Sequence, residues 1–570
     1  MSLNRRILKW IAVALAVFAI LCGALVAGLS VVLNRMPEYR TQAQAWIDQR
    51  TGLDIEFASL RARWRWYGPE LVFDDAVVRT ADRKRTLAVA RRGGLGFDLW
   101  TAISTGRLKA GRLLLEGTEL RVVRTAAGRI EFVGQDALPD FNPNEPFDAD
   151  ALPTGTLHVR DARLSFRDLK TGRGPWIFQG VEFELQRRSS TMQLAGSAAL
   201  PKSLGKHLRF SAGSVGRLAD PQKLTWTFQI EGKDIDLAGW ADVMPNDWFA
   251  PESGSGSLML AGKFRGLSLD YLSGEVSLSQ VTLVTPVWTT PLPRPGVLQN
   301  GDLLAQASQA TPQDESAPAE VAVATPTLPN TSEMVGYTRV AAKFRVQHSQ
   351  QGWHTEVSDF QLARAQSSWT PSQIQLDFVR NDAGGYRTQG KASLLVLENV
   401  WPLLAYASES ERLALVRALR ASGRISDISW EFARASADAR PQYSFNANIA
   451  GASVAAVGKT PGMTGITASV SGTEREGTIN VDSHDVTLLI PRLFRTPLPA
   501  DLIKGMLQWT HTGDDALEVT TPELQVANFD GRVLAKMKLT VPAQGSAPMI
   551  DLTAHAEDLH AVAAPRYMPA

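Results

Sequence analysis

The sequence predicts a mainly β protein behind one N-terminal transmembrane helix. Three observations carry that prediction. Trp10 to Asn34 contains no charged residue. After it, apolar and polar residues alternate strictly in many short runs. Gly, Asn and Asp turns interrupt those runs about every ten residues, the spacing of a large all-β structure.

The uncharged run is long enough to cross a bilayer, which takes roughly 20 helical residues. Arg5, Arg6 and Lys9 precede it, and Arg35, Glu38 and Arg40 of mixed sign follow. The positive-inside rule then leaves residues 1–9 as a cytoplasmic stub and 10–34 as a single-pass membrane anchor, with the bulk of the chain on the far side. A cleaved signal peptide is the competing reading, with small residues near Ala24 and Ala27, but its apolar core is usually shorter. Cys22, the single cysteine, sits inside the run, so no intrachain disulfide and no cysteine-based metal site can form.

Pro37 opens an amphipathic stretch with Tyr39, Ala43, Trp46 and Ile47 on one helical face, closed by Thr51-Gly52. The period then switches to two at Leu53, Ile55 and Phe57. Leu224, Trp226, Phe228 and Ile230 alternate with polar residues, as do Val340, Ala342, Phe344 and Val346, and Trp353, Thr355 and Val357 after a Gln-Gln-Gly turn. Short helices are expected at Leu237–Val243 and at Leu403–Ala421, where Ser408 and Glu411 form a capping box. Residues 286–335 are a low-complexity insertion rich in Pro, Ala and Gln, between β-rich regions at 35–285 and 336–570. Asp136 to Pro153 reads as a second loop.

One repeat stands out. Gly111 to Arg124 reads GRLLLEGTELRVVR, and Gly155 to Asp168 reads GTLHVRDARLSFRD. Leu113 aligns with Leu157, Leu115 with Val159, Leu120 with Leu164, and Val122 with Phe166. Both copies change alternation parity midway. A two-residue turn or a bulge there keeps the apolar side chains on one face.

Charge excludes one class of partner. Lys+Arg number 59 against Asp+Glu 58, a net charge of +1, so no nucleic-acid partner is expected. Catalytic chemistry has no anchor either. There is no H-E-x-x-H pair and no G-x-S-x-G elbow. His511 with Asp514 and Asp515 reads as a polar turn rather than a metal site, and Gly458-Lys459-Thr460 as a turn rather than a phosphate loop. The chain is expected not to be an enzyme and to need no cofactor.

Several motifs in order resemble the AsmA-like family, in its YhdP branch. They are Gly52-Leu-Asp-Ile-Glu-Phe57, the Trp64 to Asp75 stretch with Gly68-Pro-Glu-Leu71 and Asp74-Asp75, and the two strand repeats. Further on come the 403–423 helix followed by Arg424-Ile-Ser-Asp-Ile-Ser-Trp430, then Pro461-Gly-Met463 with Thr464-Gly465, Pro491-Arg-Leu-Phe494 with Pro497-Leu498, and Tyr567-Met-Pro569. The resemblance covers most of the chain and implies the N-terminal half of such a protein. It implies a long, elongated, curved antiparallel β-sheet, U-shaped and groove-forming, with a few short helices. It also implies a bridge-like protein of the Gram-negative envelope that carries phospholipids toward the outer membrane and maintains its barrier.

From the residues alone, alternating faces most often pack as sandwiches or closed solenoids. The resemblance favours an open apolar groove, with candidates Leu113, Leu115, Leu157, Val159, Leu164, Phe166, Trp226, Phe228, Ile230, Phe344 and Val346. Expected partners are the inner membrane, phospholipid and envelope proteins. Two rival functions stand beside lipid transfer: a structural or assembly factor for the outer membrane, and an exported carbohydrate-active enzyme, which needs two carboxylates about 5–10 Å apart.

Overall fold

In a computed structural model, the described residues are 53–65, 68–80, 86–97, 110–126, 128, 130–132, 155–188, 190–216, 221–243, 251–266, 268–284, 334–406, 418–436, 438–457, 460–490, 494, 496–512, 516–542, 547–558 and 560. The expected anchor, the 37–51 helix, the 286–332 insertion and Asp514–Asp515 lie outside them. Among the described residues no helix is long and apolar enough to cross a membrane. The chain divides into two compact units, Met1–Met244 with Ser257–Leu269, and Pro245–Gly256 with Asp270–Ala570.

The first unit is built from β1 (Leu53–Glu56), β2 (Ser59–Arg65), β3 (Gly68–Thr80), β4 (Thr86–Phe97), β5 (Ala110–Arg124), β6 (Ile130–Phe132), β7 (Gly155–Asp168), β8 (Arg173–Arg187), β9 (Thr191–Ala199), β10 (His207–Val215) and β11 (Thr225–Asp236). Helix α1 (Leu237–Val243) follows, as its sequence predicts. β12 (Pro251–Arg265) and β13 (Ser268–Val284) contribute to both units. β1 and β2 share β3 as partner, and antiparallel pairing runs from β3 through β4 to β5 and from β7 through β8, β9 and β10 to β11.

The junction corrects the expectation of a purely antiparallel sheet. β5 and β7 are parallel, with Leu113 opposite Leu157, Leu115 opposite Val159, Leu120 opposite Leu164 and Val122 opposite Phe166. The sequence repeat is therefore a pair of neighbouring strands in register. Parallel neighbours need a crossover of about a dozen residues or more. Residues 125–154 supply it, and part of that connection pairs back onto β5 as β6.

The parity change in both copies is a bulge. Gly117 has φ 63° and Asp161 φ 48°, in line across the parallel pair. Asp75 in β3 and Gly180 in β8 carry the same left-handed backbone. Short polar Asp tolerates it better than other non-glycine residues. Arg91 on β4 lies between Asp75 and Gly117 in register, and its guanidinium is ion-paired with Asp161. A Cβ on Gly117 would sit 2.2 Å from the Arg91 Nε. The first copy thus needs glycine where the second has aspartate.

The second unit continues with β14 (Met334–Ser349), β15 (Gly352–Ala363), β16 (Ser372–Arg380), β17 (Gly384–Val396), α2 (Leu397–Val400), β18 (Ser422–Ser436), β19 (Gln442–Val454), β20 (Gly462–Thr473), β21 (Glu476–Leu489), β22 (Leu498–His511), β23 (Leu517–Asn528), β24 (Gly531–Val541) and β25 (Met549–Glu557). From β13 to β25 each strand pairs antiparallel with the next. Mid-strand positive φ recurs at Asp359, Asp427, Gly451, Gly465 and Asp485. Of the helix expected at Leu403–Ala421, the structure shows a 3₁₀ turn at Trp401–Tyr406 and a helical residue at Ala418, and 407–417 lie outside the described residues.

Each unit has one strand margin tied by a helical segment. In the first, the Trp240 indole N–H donates to the Leu204 carbonyl at 2.9 Å, and Trp240 and Val243 pack on Trp176, Leu200 and Leu204. In the second, Asn399 of α2 donates to the Leu362 carbonyl at 2.6 Å and accepts at its own carbonyl from the Tyr337 hydroxyl at 2.9 Å. Burial pushes the Tyr337 hydroxyl up to about 12. Glu398 accepts from the Ser367 hydroxyl and the Gly423 N–H.

Candidate functional site: an uncovered apolar sheet face

Register decides which side chains share a face, because directly paired residues point the same way. In the first unit, Leu157 pairs with Leu185, Val159 with Phe183, Ala162 with Val181, Leu164 with Phe178 and Phe166 with Trp176. Phe183 continues to Gly196, Phe210 and Ile230, and Leu194 to Ala212 and Phe228. In the other direction Leu113 pairs with Leu95 and Leu71, and Leu115 with Gly93 and Phe73. Leu113, Leu115, Leu157, Val159, Leu164, Phe166, Trp226, Phe228 and Ile230 therefore lie on one face. The bulge row makes this so: without the extra residue, the outer halves of β5 and β7 would turn their apolar set to the other side.

The same tracing in the second unit puts Phe344 and Val346 on one face with Val357, Trp353, Leu376, Phe378, Trp430 and Phe445. That face runs through Val470, Ile479, Leu507, Val519, Leu539 and Ile550 to β25.

The opposite faces are charged. Asp74 pairs with Arg61, lies 3.5 Å from Arg92, and Arg92 lies 3.4 Å from Glu116. A hydrogen bond from Ser59, with Arg61 and Arg92 beside it, holds the Asp74 carboxyl below its ordinary range against the opposing effect of burial. Arg387–Glu431 at 2.9 Å, Lys504–Asp482 at 3.2 Å and Lys538–Glu518 at 2.9 Å continue the pattern in the second unit. Exposed pairs of this kind contribute about 0–1 kcal/mol each. Their larger effect is to keep one side of the sheet wet.

Among the described residues the main strand contacts of each unit run between hydrogen-bonded neighbours of a sheet. A domain ordinarily buries its apolar sheet face under a second layer. Here lateral neighbours screen the apolar side chains, with Trp240 and Val243 of α1 added at one margin of the first unit. Of the eleven candidates only Val159 is fully buried, and the other ten are half-buried.

Two clefts open on the polar sides. One, about 490 Å³, is lined by His158, Arg160, Glu184, Arg209 and Glu231. The other, about 930 Å³, is lined by Gln375, Asp377, Gln389, Lys391, Glu431 and Asn446 among others. Several of their charges are paired: Arg209 lies 3.6 Å and Lys233 3.2 Å from Glu231, Asp377 takes His354, and Glu431 takes Arg387. Burial holds the His158 imidazole below its ordinary range, with Glu184 at 3.5 Å as the opposing influence. Among the described residues no group of three His, Cys, Asp or Glu could hold a metal.

One feature of that face escapes the alternation analysis. Near the tight-hairpin margin of the second unit, rings on β16 to β19 and on β22 come together. Phe378 and Tyr386 have centroids 6.1 Å apart, Tyr386 and Phe432 5.8 Å, Tyr443 and Phe445 6.5 Å, and Phe445 and Trp509 6.1 Å. Phe432 pairs directly with Tyr443, closing the row. Trp509 lies across Gly472 and Gly477, where a Cβ would fall 2.2 and 2.0 Å from its ring. The sequence signal is an aromatic residue two to four positions from a hairpin turn, with glycine facing it at Phe445 and Trp509.

A family model described as YhdP protein matches residues 1–570. No curated protein sequence and no solved structure matches the chain.

Proposed function

The chain belongs to the YhdP family, and on that premise we propose that its apolar sheet faces carry phospholipid acyl chains through the periplasm toward the outer membrane. The N-terminal run at 10–34 anchors the protein in the inner membrane in this reading, and the β-rich remainder is the track. The supporting observation is the unshared apolar face of a single-layer sheet whose other face is charged.

The energetics favour such a surface. Two acyl chains expose about 30 methylenes, and at about 0.8 kcal/mol each their transfer through water costs on the order of 20–25 kcal/mol. A continuous strip of half-buried Leu, Val, Ile and Phe replaces that water stepwise. No nucleophile, metal or cofactor takes part in passive movement along it. The AsmA-like architecture expected of a bridge-like protein fits the open β-sheet of each unit.

The test is transfer itself. Full-length protein is purified and incubated with donor vesicles carrying fluorescent phospholipid and with unlabelled acceptors. Wild type is expected to accelerate exchange and to retain phospholipid after purification. Phe228→Asp, on the apolar face beside Phe264 (centroids 6.0 Å), is expected to fold and to lose both. A well-folded wild-type chain that carries no lipid and moves none would refute the reading and leave a structural role in the envelope.

A further inference from the structure

We infer that the second unit holds its lipid in one orientation, with the phosphate at the hairpin margin on the row Arg380–Tyr386–Arg434 and the acyl chains directed inward along the strands. The inference rests on the lipid-carrying reading above and adds a polarity to it.

The row comes from register. Arg380 pairs with Tyr386, and Tyr386 with Arg434, on three adjacent strands. Both arginines fall on the apolar face, two positions outward from Phe378 and Phe432 respectively. Strands sit about 4.8 Å apart, so the two cationic stems are about 10 Å apart with the Tyr386 ring between them. Arg380 is exposed. Arg434 donates from Nε to the Ala439 carbonyl at 2.9 Å. Neither makes an ion pair with a carboxylate among the described residues. On the polar face of the neighbouring strands, Arg387 is matched by Glu431 at 2.9 Å.

Moving inward, polarity falls in steps. The arginines come first. Tyr386 lies level with them, and the rings of Phe378, Phe432 and Tyr443 come next, the last with a hydroxyl. Aliphatic side chains follow at Ile374, Leu376 and Ile428. Amphipathic Tyr and Trp concentrate at the level of lipid headgroups in bilayers because one end is apolar and the other wet. The same gradient runs here along each strand.

Length agrees as well. From Phe432 to the positive-φ residue Asp427 is five residues, or about 17 Å at about 3.3 Å each. One leaflet of a bilayer's hydrocarbon core is about 15 Å deep. An acyl chain that starts at the rings therefore ends near the bulge. Rings at the margin also explain why the least covered aromatics of this face, Trp353 at 39% and Tyr443 at 40% exposure, sit at strand ends.

The experiment places one fluorophore at a time on the full-length chain in a Cys22→Ser background. One label goes on the Tyr443→Cys variant, at the ring row. A second goes on Ile428→Cys, four residues inward from Phe432. Trp353→Cys is a second margin position in case the first loses the fold. Each is mixed with phosphatidylcholine bearing a nitroxide on the headgroup or near the acyl terminus. The headgroup nitroxide is expected to quench the margin label at least twofold more than the inner one, and the acyl-terminal nitroxide to reverse that order. Arg380→Glu with Arg434→Glu is expected to abolish the contrast for the headgroup probe. Equal or inverted quenching at the two positions would overturn the orientation while leaving lipid binding intact. No quenching at either position by either probe would overturn the lipid reading itself, and the orientation with it.

Discussion

The apolar face nearly seals itself across β7–β9, whereas it stands open across β15–β19. In the first stretch Val159, Ala162, Val181 and Ala198 are each less than 10% exposed, walled in by Leu115, Leu157, Leu164, Phe178 and Phe183. In the second, among the described residues, no comparable cluster forms, and Trp353, Leu376 and Tyr443 are each more than a third exposed. The alternation is the same in both. The difference lies in side-chain size at facing positions. Small residues beside the bulge let large neighbours close over them. Rings at strand ends have neighbours on one side only. A single-layer sheet can therefore be held together in one region and left receptive in another without any change of topology.

Substitutions on the two stretches should separate stability from binding. Val159→Asp places a carboxylate among Ala162, Val181 and Phe183 and is expected to cost at least ~3 kcal/mol, read as lost amide protection in β7 and β8 by hydrogen exchange. Tyr443→Asp on the open stretch is expected to change stability by less than ~1 kcal/mol while lowering lipid binding several-fold. Comparable destabilisation by both would erase the distinction.

Next in size is the clasp that ends the parallel pair. Asp168 is fully buried, 3.2 Å from Arg124, and accepts from the Lys170 and Thr171 N–H groups at 2.9 and 3.4 Å. Burial alone would raise its carboxyl. The Thr171 hydroxyl, the two backbone N–H groups and Arg124 outweigh that and hold it below the ordinary range. Asp168→Ala is expected to cost about 2–3 kcal/mol. Because the folded value is depressed, the stabilisation is present above about pH 4, the unfolded value, and is lost as pH falls through the lowered folded one. Acid titration of β5 and β7 exchange rates in wild type against Asp168→Ala checks both sign and size.

A smaller effect is expected at Gly477→Val. The added side chain meets the Trp509 ring, which must leave its place over the strand at a cost of about 1–2 kcal/mol. A shift in Trp near-UV dichroism with the overall sheet signal unchanged would report it, and an unaltered spectrum would count against the ring-over-glycine packing. The smallest expected change is at His354, hydrogen-bonded to Asp377 and to Glu356 at 3.2 Å, which together raise its pKa. It is 39% exposed on the polar face, so water limits its contribution to under ~1 kcal/mol. With the folded value raised, that contribution is full below about pH 6.5 and fades as pH rises through the folded value. Comparing wild type with His354→Gln at pH 6 and pH 9 tests the direction.

Much of the fold was legible from residue order. The alternations at Leu53–Phe57, Thr225–Ile230 and Val340–Val346 became β1, β11 and β14, and Leu237–Val243 became α1. The repeat alignment matched the observed register residue for residue. Its parallel direction was not legible, because the same alternation suits either direction and only the crossover at 125–154 selects one. The bulges showed as parity changes, but the guanidinium of Arg91 reaching from β4 to Asp161 on β7 could not be read from two strands considered alone. The ring row and its flanking arginines went unseen for the same reason. Phe378, Tyr386, Phe432, Tyr443, Phe445 and Trp509 are spread over more than 130 residues and become one feature only when the ends of five strands are brought together.

By itself, the sequence determined which side chains of each strand share a face, since a period of two follows from backbone geometry within a single strand. It also determined that one face is apolar and the other charged, and where the bulges fall. The tertiary structure alone decided which strands are neighbours, and with them the parallel pair, the ion pairs that cross it, and whether the apolar face is closed by its own side chains or left open. Those outcomes depend on long-range pairing, where residues far apart in the chain meet at about 4.8 Å, and no local pattern contains that information.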